Sequence, residues 1–353
     1  MSIISTNMII DLLQTIINNS SSADQIAVAY MDKYTYQNIY VYIVDTTIGN
    51  KINQDILDRR MFSKLKILYC DRNQKINNLD HLSKTLEELH CNGINNNNNN
   101  IHQNTIYKLN KLRVLNCDDN NKINDVNHLS DSLEELSCIR MCKIDQKGIS
   151  KLAKLRKLDC SNNWKIKNVN HLSNTLQFLD CSVGCDITQK GISELKILKV
   201  LKCGGNENIN NLDHLSETLE ELDCNNSSIY DYSIFFGHRK ECRINQNCIS
   251  NFKRLKILNA NHNQEIQNVN HLSDTLERLY CSHDCGINQK GISELNKLEV
   301  LDCKFNAKIN SISHLSETLQ VLYCNKNIEE NVAKNIDMYD NIRELNDSYV
   351  VDE

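Results

Sequence analysis

Apolar positions along this chain recur in one short phrase: a leucine, a second leucine three residues on and a cysteine two further. It is seen in Leu65-Lys-Ile-Leu68-Tyr-Cys70 and again in Leu86-Glu-Glu-Leu89-His-Cys91. The phrase begins at Leu65, Leu86, Leu112, Leu133, Leu155, Leu176, Leu198, Leu219, Leu255, Leu276, Leu298 and Leu319, and one copy ends in Ala260 instead of cysteine. Leu68 and Cys70 alternate with Ile67, Tyr69 and Asp71, which predicts a short strand with one dry and one wet side. Two kinds of polar stretch follow the strands in turn. The first, for example 166–175, is rich in Asn and His and is too short for a long helix, which predicts extended chain or a single 3₁₀ turn. The second reads IxQKGISxLxxL, as in Ile187-Thr-Gln-Lys-Gly-Ile-Ser-Glu-Leu195. Ile192, Leu195 and Leu198 stand there at helical spacing behind Thr188 as a cap, which predicts a helix of about two turns.

The first kind of stretch carries the phrase NHLS, DHLS or SHLS at His81, His128, His171, His214, His271 and His314, with gaps of 47, 43, 43, 57 and 43 residues. The unit is thus 43 residues, two coils of 21 or 22, with insertions of four and fourteen residues. A period in the twenties with apolar residues at fixed places is the pattern of a solenoid, in which each coil buries its apolar side against its neighbours. Where the phrase runs on from Leu65 to Ile76 it reads LxxLxCxxNxxI, which resembles the leucine-rich repeat with cysteine at its sixth position. The IxQKGISxLxxL half resembles repeats of F-box proteins, and the HLSxTLxxL half resembles FNIP-type repeats of protists and large DNA viruses. The resemblance covers residues 65–328 and implies an α/β solenoid: a horseshoe of about 12–13 coils with a parallel sheet on the concave face and alternately compact and short-helical convex segments.

Three places break the repetition. A cryptic coil is expected over 41–64, because Val41-Tyr-Ile-Val44-Asp-Thr46 keeps the spacing of the phrase. Upstream, 1–40 holds two helical stretches, MIIDLLQTIIN and ADQIAVAYMDKY. They are read either as a cap on the first coil or as a segment resembling a degenerate F-box, which implies a Skp1-type adaptor as partner and a ubiquitin-ligase role. Residues 329–353 are expected to form a helical cap and an acidic tail. Of the insertions, that near 95–100 is polyasparagine and reads as a solvated loop. That at 228–241 gathers Tyr230, Tyr232, Phe235, Phe236 and Arg239, residue types that anchor interfaces.

Composition narrows the function classes. The 353 residues carry a formal net charge of −5, which argues against nucleic acid as partner. No run of apolar residues is long enough to span a membrane, and Met1–Asp11 lacks a basic leader, so a cytoplasmic location is expected, in host cytoplasm if the protein is viral. Eleven of the 16 cysteines fall in the strand column and read as small core hydrophobes. The CxxxC pairs at Cys138/Cys142, Cys181/Cys185 and Cys281/Cys285 lie two coils apart and do not converge as zinc ligands do, so no metal or other cofactor is expected. The histidines, each with the serine two places on, are expected to satisfy backbone groups of their own turns. No Walker loop, HExxH or GxSxG occurs. The expectation is a non-enzymatic scaffold that binds a protein through the wet strand face. Tyr69, Phe178, Tyr280 and Tyr323 are the aromatic anchors there, and acids outnumber bases nine to four: Asp71, Glu88, Asp118, Glu135, Asp159, Asp180, Glu221, Asp223 and Asp302 against Lys157, Lys202, Arg278 and Lys304.

Overall fold

A computed structural model describes residues 40–93, 99–226, 241–334, 342 and 344–345. The helical stretches expected over 1–39, the loop 94–98, the aromatic insertion 227–240 and most of 335–353 lie outside the described residues. The chain divides into two units, Met1–Lys165 and Ile166–Glu353.

In the first unit the strands are β1 (Ile43–Val44), β2 (Ile67–Tyr69), β3 (Glu88–His90), β4 (Val114–Asn116), β5 (Glu135–Ser137) and β6 (Lys157–Asp159). They pair parallel in chain order, with Val44, Leu68, Leu89, Leu115, Leu136 and Leu158 in one register row. The second unit repeats the plan with β7 (Phe178–Asp180), β8 (Val200–Lys202), β9 (Glu221–Asp223), β10 (Ile257–Asn259), β11 (Arg278–Tyr280), β12 (Val300–Asp302), β13 (Val321–Tyr323) and β14 (Glu344–Leu345). The fourteen-residue insertion between β9 and β10 leaves the register intact, Leu222 opposite Leu258. Every strand leucine of the repeat is buried, and so are all 16 cysteines. Thiols of the strand column donate to the next coil, as Cys70 Sγ does to the His90 carbonyl at 3.3 Å. Burial raises the thiol pKa of Cys70, Cys91, Cys181, Cys224, Cys281 and Cys303 in the column and pushes Cys285, in the second column, up to about 11, so these groups stay protonated.

Between strands the two kinds of stretch differ as expected, with one correction. The compact stretch makes a single 3₁₀ turn at the histidine phrase, for example Asn127–Leu129 and Asn270–Leu272. The other makes only one helical turn: Gln54–Leu57, Gln103–Ile106, Gln146–Ile149, Gln189–Ile192 and Gln246–Ile249, with a 3₁₀ turn at Gln289–Ile292. The expected second turn is lost because the chain tightens behind the first. Leu195 N–H donates to the Ile192 carbonyl, an i→i−3 bond that ends the α-ladder. The cap is as read, with Thr188 Oγ1 accepting from Gly191 N–H at 3.1 Å. The glycine of QKG is needed for close approach, since a Cβ on Gly191 would sit 2.1 Å from the Lys167 carbonyl oxygen.

Side-chain amides stitch the coils together. The asparagine of LxCxxN is buried at Asn73, Asn120, Asn163, Asn206, Asn263 and Asn306. Its amide donates to two carbonyls of the preceding coil: Asn206 Nδ2 lies 3.1 Å from the Cys181 oxygen and 3.2 Å from the Ile187 oxygen. Its Oδ1 accepts from the backbone of its own turn, Asn208 N–H at 2.9 Å. The glutamine that opens the helical turn clamps the following coil at Gln54, Gln103, Gln189, Gln246 and Gln289. Gln246 Oε1 accepts from Gln267 and Asn268 N–H, both at 2.9 Å, and its Nε2 donates to the Asn268 carbonyl.

The histidine phrase works in both directions. His128, His214, His271 and His314 Nε2 donate to the carbonyls of Ile106, Ile192, Ile249 and Ile292 in the preceding coil, not to their own turns as the sequence suggests. Asn270, just before His271, reaches forward: its Nδ2 donates to the Lys290 carbonyl and its Oδ1 accepts from Glu294 N–H. Ser273 ends the 3₁₀ turn as its C-cap. Burial pulls His128 and His214 below the ordinary imidazole pKa, with the carbonyl bond acting against it. A folded pKa below the unfolded value means that the unfolded chain binds the extra proton. The stabilisation is therefore full above the unfolded pKa of about 6.5 and lost as pH falls through the folded one. Between pH 7 and pH 5 the thermal midpoint of the protein should drop more steeply than that of a His128→Gln/His214→Gln variant; parallel curves by circular dichroism would refute this.

Candidate functional site

The wet side of each strand offers two residues, and one more follows the buried cysteine. In the first unit Tyr69 stacks on His90 with ring centroids 3.9 Å apart and planes 7° apart. Glu88 holds both rings, accepting from Tyr69 Oη at 3.2 Å and lying 2.7 Å from His90 Nε2. In the second unit Phe178 lies under Lys202, whose Nζ is 5.7 Å from the ring centroid. Tyr280, Asp302 and Tyr323 share one register row across β11, β12 and β13. Lys304 Nζ stands 5.4 Å from the Tyr323 centroid, and burial raises the Asp302 carboxyl above its ordinary pKa. The four aromatic residues singled out on the strands are thus all half-buried on the wet face. Only Tyr280 and Tyr323 fall on the same patch. Tyr230, Tyr232, Phe235, Phe236 and Arg239 lie outside the described residues.

A rim of residues missed at the level of sequence completes this patch. Two residues past the strand cysteine the backbone turns left-handed, at Arg72, Asp119, Arg140 and Asn162 in the first unit and at Val183, His262, His283 and Phe305 in the second, with φ between 45° and 60°. Each such non-glycine residue costs about 1 kcal/mol, partly offset because the N–H continues the parallel ladder, as His283 N does to the Lys304 carbonyl at 2.7 Å. The turn throws the side chain outward. In three successive coils this yields one stack: His262 on His283 at 4.2 Å between centroids, and Phe305, itself 70% exposed, beyond it at 4.9 Å. In the first unit the same rim carries a bidentate ion pair, Arg140 on Asp119 at 2.6 Å. Trp164, 58% exposed, is a second missed aromatic. Its signal was present, a ring in a column otherwise filled by Gln74, Asn121, Glu207, Gln264 and Ala307.

Among the described residues no three His, Cys, Asp or Glu side chains converge to hold a metal ion. The thiols are buried. Two shallow depressions on the turn side, around Asn104 and Tyr107 and around Asn251 and Phe252, are open to solvent.

No family model and no curated protein matches the sequence. Among solved structures, the functional domain of InlJ from Listeria monocytogenes, described as including a cysteine ladder, is 23% identical with a TM-score of 0.50. The match covers 81% of this chain and 60% of that one, so the chain spans about three fifths of that structure. TLR13 in its complex with ssRNA13 is 17% identical with a TM-score of 0.36, over 81% of this chain and 44% of that one. Both are leucine-rich-repeat proteins, and the likeness to InlJ shows the fold: the chain has the leucine-rich-repeat solenoid that its spacing implies.

If the rim aromatics serve binding and not folding, glycine at a left-handed position should cost nothing. Phe305→Gly loses one exposed ring contact and relieves about 1 kcal/mol of backbone strain. Its midpoint in chemical denaturation should equal or exceed that of the unaltered protein; a loss above about 1 kcal/mol would make the ring structural.

Proposed function

We propose that this protein is a non-enzymatic interaction scaffold that holds a protein partner on the wet face of its sheet. In the second unit the contact is centred on Tyr280, Tyr323, His283 and Phe305. The observation that carries the reading is the rim stack. Three successive coils place His262, His283 and Phe305 in a left-handed conformation that glycine or asparagine adopts at lower cost, and the result is an exposed aromatic edge beside two tyrosines. Strain kept at outward-facing side chains is a mark of use at that position. Aromatic side chains are the residues that dominate binding energy when a partner covers them. Tyr69, Phe178 and the insertion residues Tyr230, Tyr232, Phe235, Phe236 and Arg239 are further anchors on this reading. Among the described residues no helix is long and apolar enough to cross a membrane. The ubiquitin-ligase adaptor reading draws support from the sequence of residues 8–34 alone.

Affinity capture from cells of the source tests this, with the full chain set beside a Tyr280→Ala/Tyr323→Ala/Phe305→Ala variant. One buried aromatic anchor contributes about 2 kcal/mol, which is roughly thirtyfold in affinity. At least one protein retained by the unaltered chain should be lost from the variant. Identical capture profiles from the two would overturn the assignment of the face, and loss of a Skp1-type adaptor on deleting 1–40 alone would select the adaptor role.

A further inference from the structure

The two units differ in the charge they show on the sheet, and the first unit treats its acids in two ways. In the column flanking the strands, acids are matched by a cation of the neighbouring coil: Glu87 by Lys66 at 2.9 Å and Glu134 by Arg113 at 3.0 Å. The same holds for Asp119 on the rim, paired with Arg140 at 2.6 Å, and for Asp80, paired with Lys108 at 2.5 Å. On the sheet face itself Asp71, Asp118 and Asp159 meet neutral donors instead. Asp71 Oδ1 accepts from Asn92 N–H at 2.8 Å. Asp118 Oδ1 accepts from Ser137 Oγ at 2.7 Å and Ile139 N–H at 2.9 Å. Asp159 Oδ1 accepts from Ser161 Oγ at 2.9 Å. The strands of this face carry a single lysine and no arginine: Lys157, already 3.5 Å from Glu135.

We propose that this face, β2 to β6, docks an extended lysine- and arginine-rich segment of the protein partner; the inference rests on the scaffold reading and names the partner's chemistry. The sheet holds like charges on a stiff frame with strands about 4.8 Å apart, so they cannot move away from one another. Burial together with the nearby Asp159 charge already works against ionisation of Asp118. A cation laid across the strands relieves that repulsion, and ordering the face costs nothing because it is already ordered. At the β2–β3 end, the Tyr69–His90 stack adds an aromatic plane of the kind on which a guanidinium lies, with Glu88 beside it for the N–H groups. A polyanion such as nucleic acid is repelled by the same array.

The probe is fluorescein-labelled nona-arginine, titrated with the full chain by fluorescence anisotropy at low and at physiological salt. The face variant is Glu88→Gln/Glu135→Gln/Asp159→Asn, whose amides keep an acceptor oxygen in place. The control is Asp55→Asn/Asp131→Asn/Glu194→Gln, which removes the same charge from exposed positions off the sheet face. The expected result is salt-sensitive binding weakened at least tenfold by the face variant and less than twofold by the control. Equal weakening by both, or no binding by the unaltered chain, would overturn the proposal. Should the triple face variant fail to fold, Asp159→Asn alone carries the test, with weakening beyond that of Asp131→Asn required. Because the altered residues lie on β3, β5 and β6, a failure here with partner capture still dependent on Tyr280, Tyr323 and Phe305 discards the basic segment and leaves the scaffold standing.

Discussion

A buried side-chain amide sets the terms for the rest of this molecule. Parallel coils satisfy the backbone along their strands, but the turn behind each strand points carbonyls into an interior that water does not reach. An unpaired buried acceptor costs roughly 1–3 kcal/mol. In every second coil the asparagine of LxCxxN answers two such carbonyls of the coil before it and one or two N–H groups of its own turn, as at Asn73, Asn163 and Asn306. The intervening coils do this differently. Asn99 takes the place once, bonding to the Cys70 carbonyl. Elsewhere Cys142 and Cys285 stand there, and each gives its carbonyl to a lysine ammonium of the next coil, Lys165 and Lys308, both at 2.9 Å. The alternation of amide and thiol coils is the physical basis of the 43-residue unit.

Fixed coil spacing has a functional consequence. With the clamps holding the register, every outward strand residue occupies a known lattice point, and the insertion between β9 and β10 passes without a slip. The face is therefore ordered before any partner arrives. Local departures can then be tolerated at the rim, where the next coil holds the N–H of left-handed residues: His283 by the Lys304 carbonyl and Phe305 by Asn325 Oδ1. The aromatic edge belongs to the second unit and the acid-rich face to the first.

Much of this was legible in the sequence, because leucine spacing, the cysteine column and the two kinds of stretch are all local patterns. Even the weak phrase at Val41–Thr46 kept its register, Val44 pairing opposite Leu68. What escaped was of three kinds. The partner of His128, His214, His271 and His314 is a backbone carbonyl 22 residues upstream in the preceding coil, as Ile249 is for His271, and a backbone group leaves no mark in a sequence. Helical spacing from Ile192 to Leu198 was real, but it is equally compatible with one turn followed by a tight bend. The rim was hidden because a left-handed turn is signalled by glycine or asparagine, and Phe305, His262 and His283 are neither. Knowing that Gly205 stands in the same column gives the clue in retrospect.

The amide clamp itself is tested most directly by Asn206→Ala, which leaves the Cys181 and Ile187 carbonyls without their donor, set against Asn210→Ala, an exposed asparagine four residues on. In equilibrium chemical denaturation followed by circular dichroism, Asn206→Ala should lose about 3 kcal/mol while Asn210→Ala changes by less than about 0.5 kcal/mol. Coincident transitions for the two variants would contradict the account, since the buried amide would then be dispensable to the stacking of the coils.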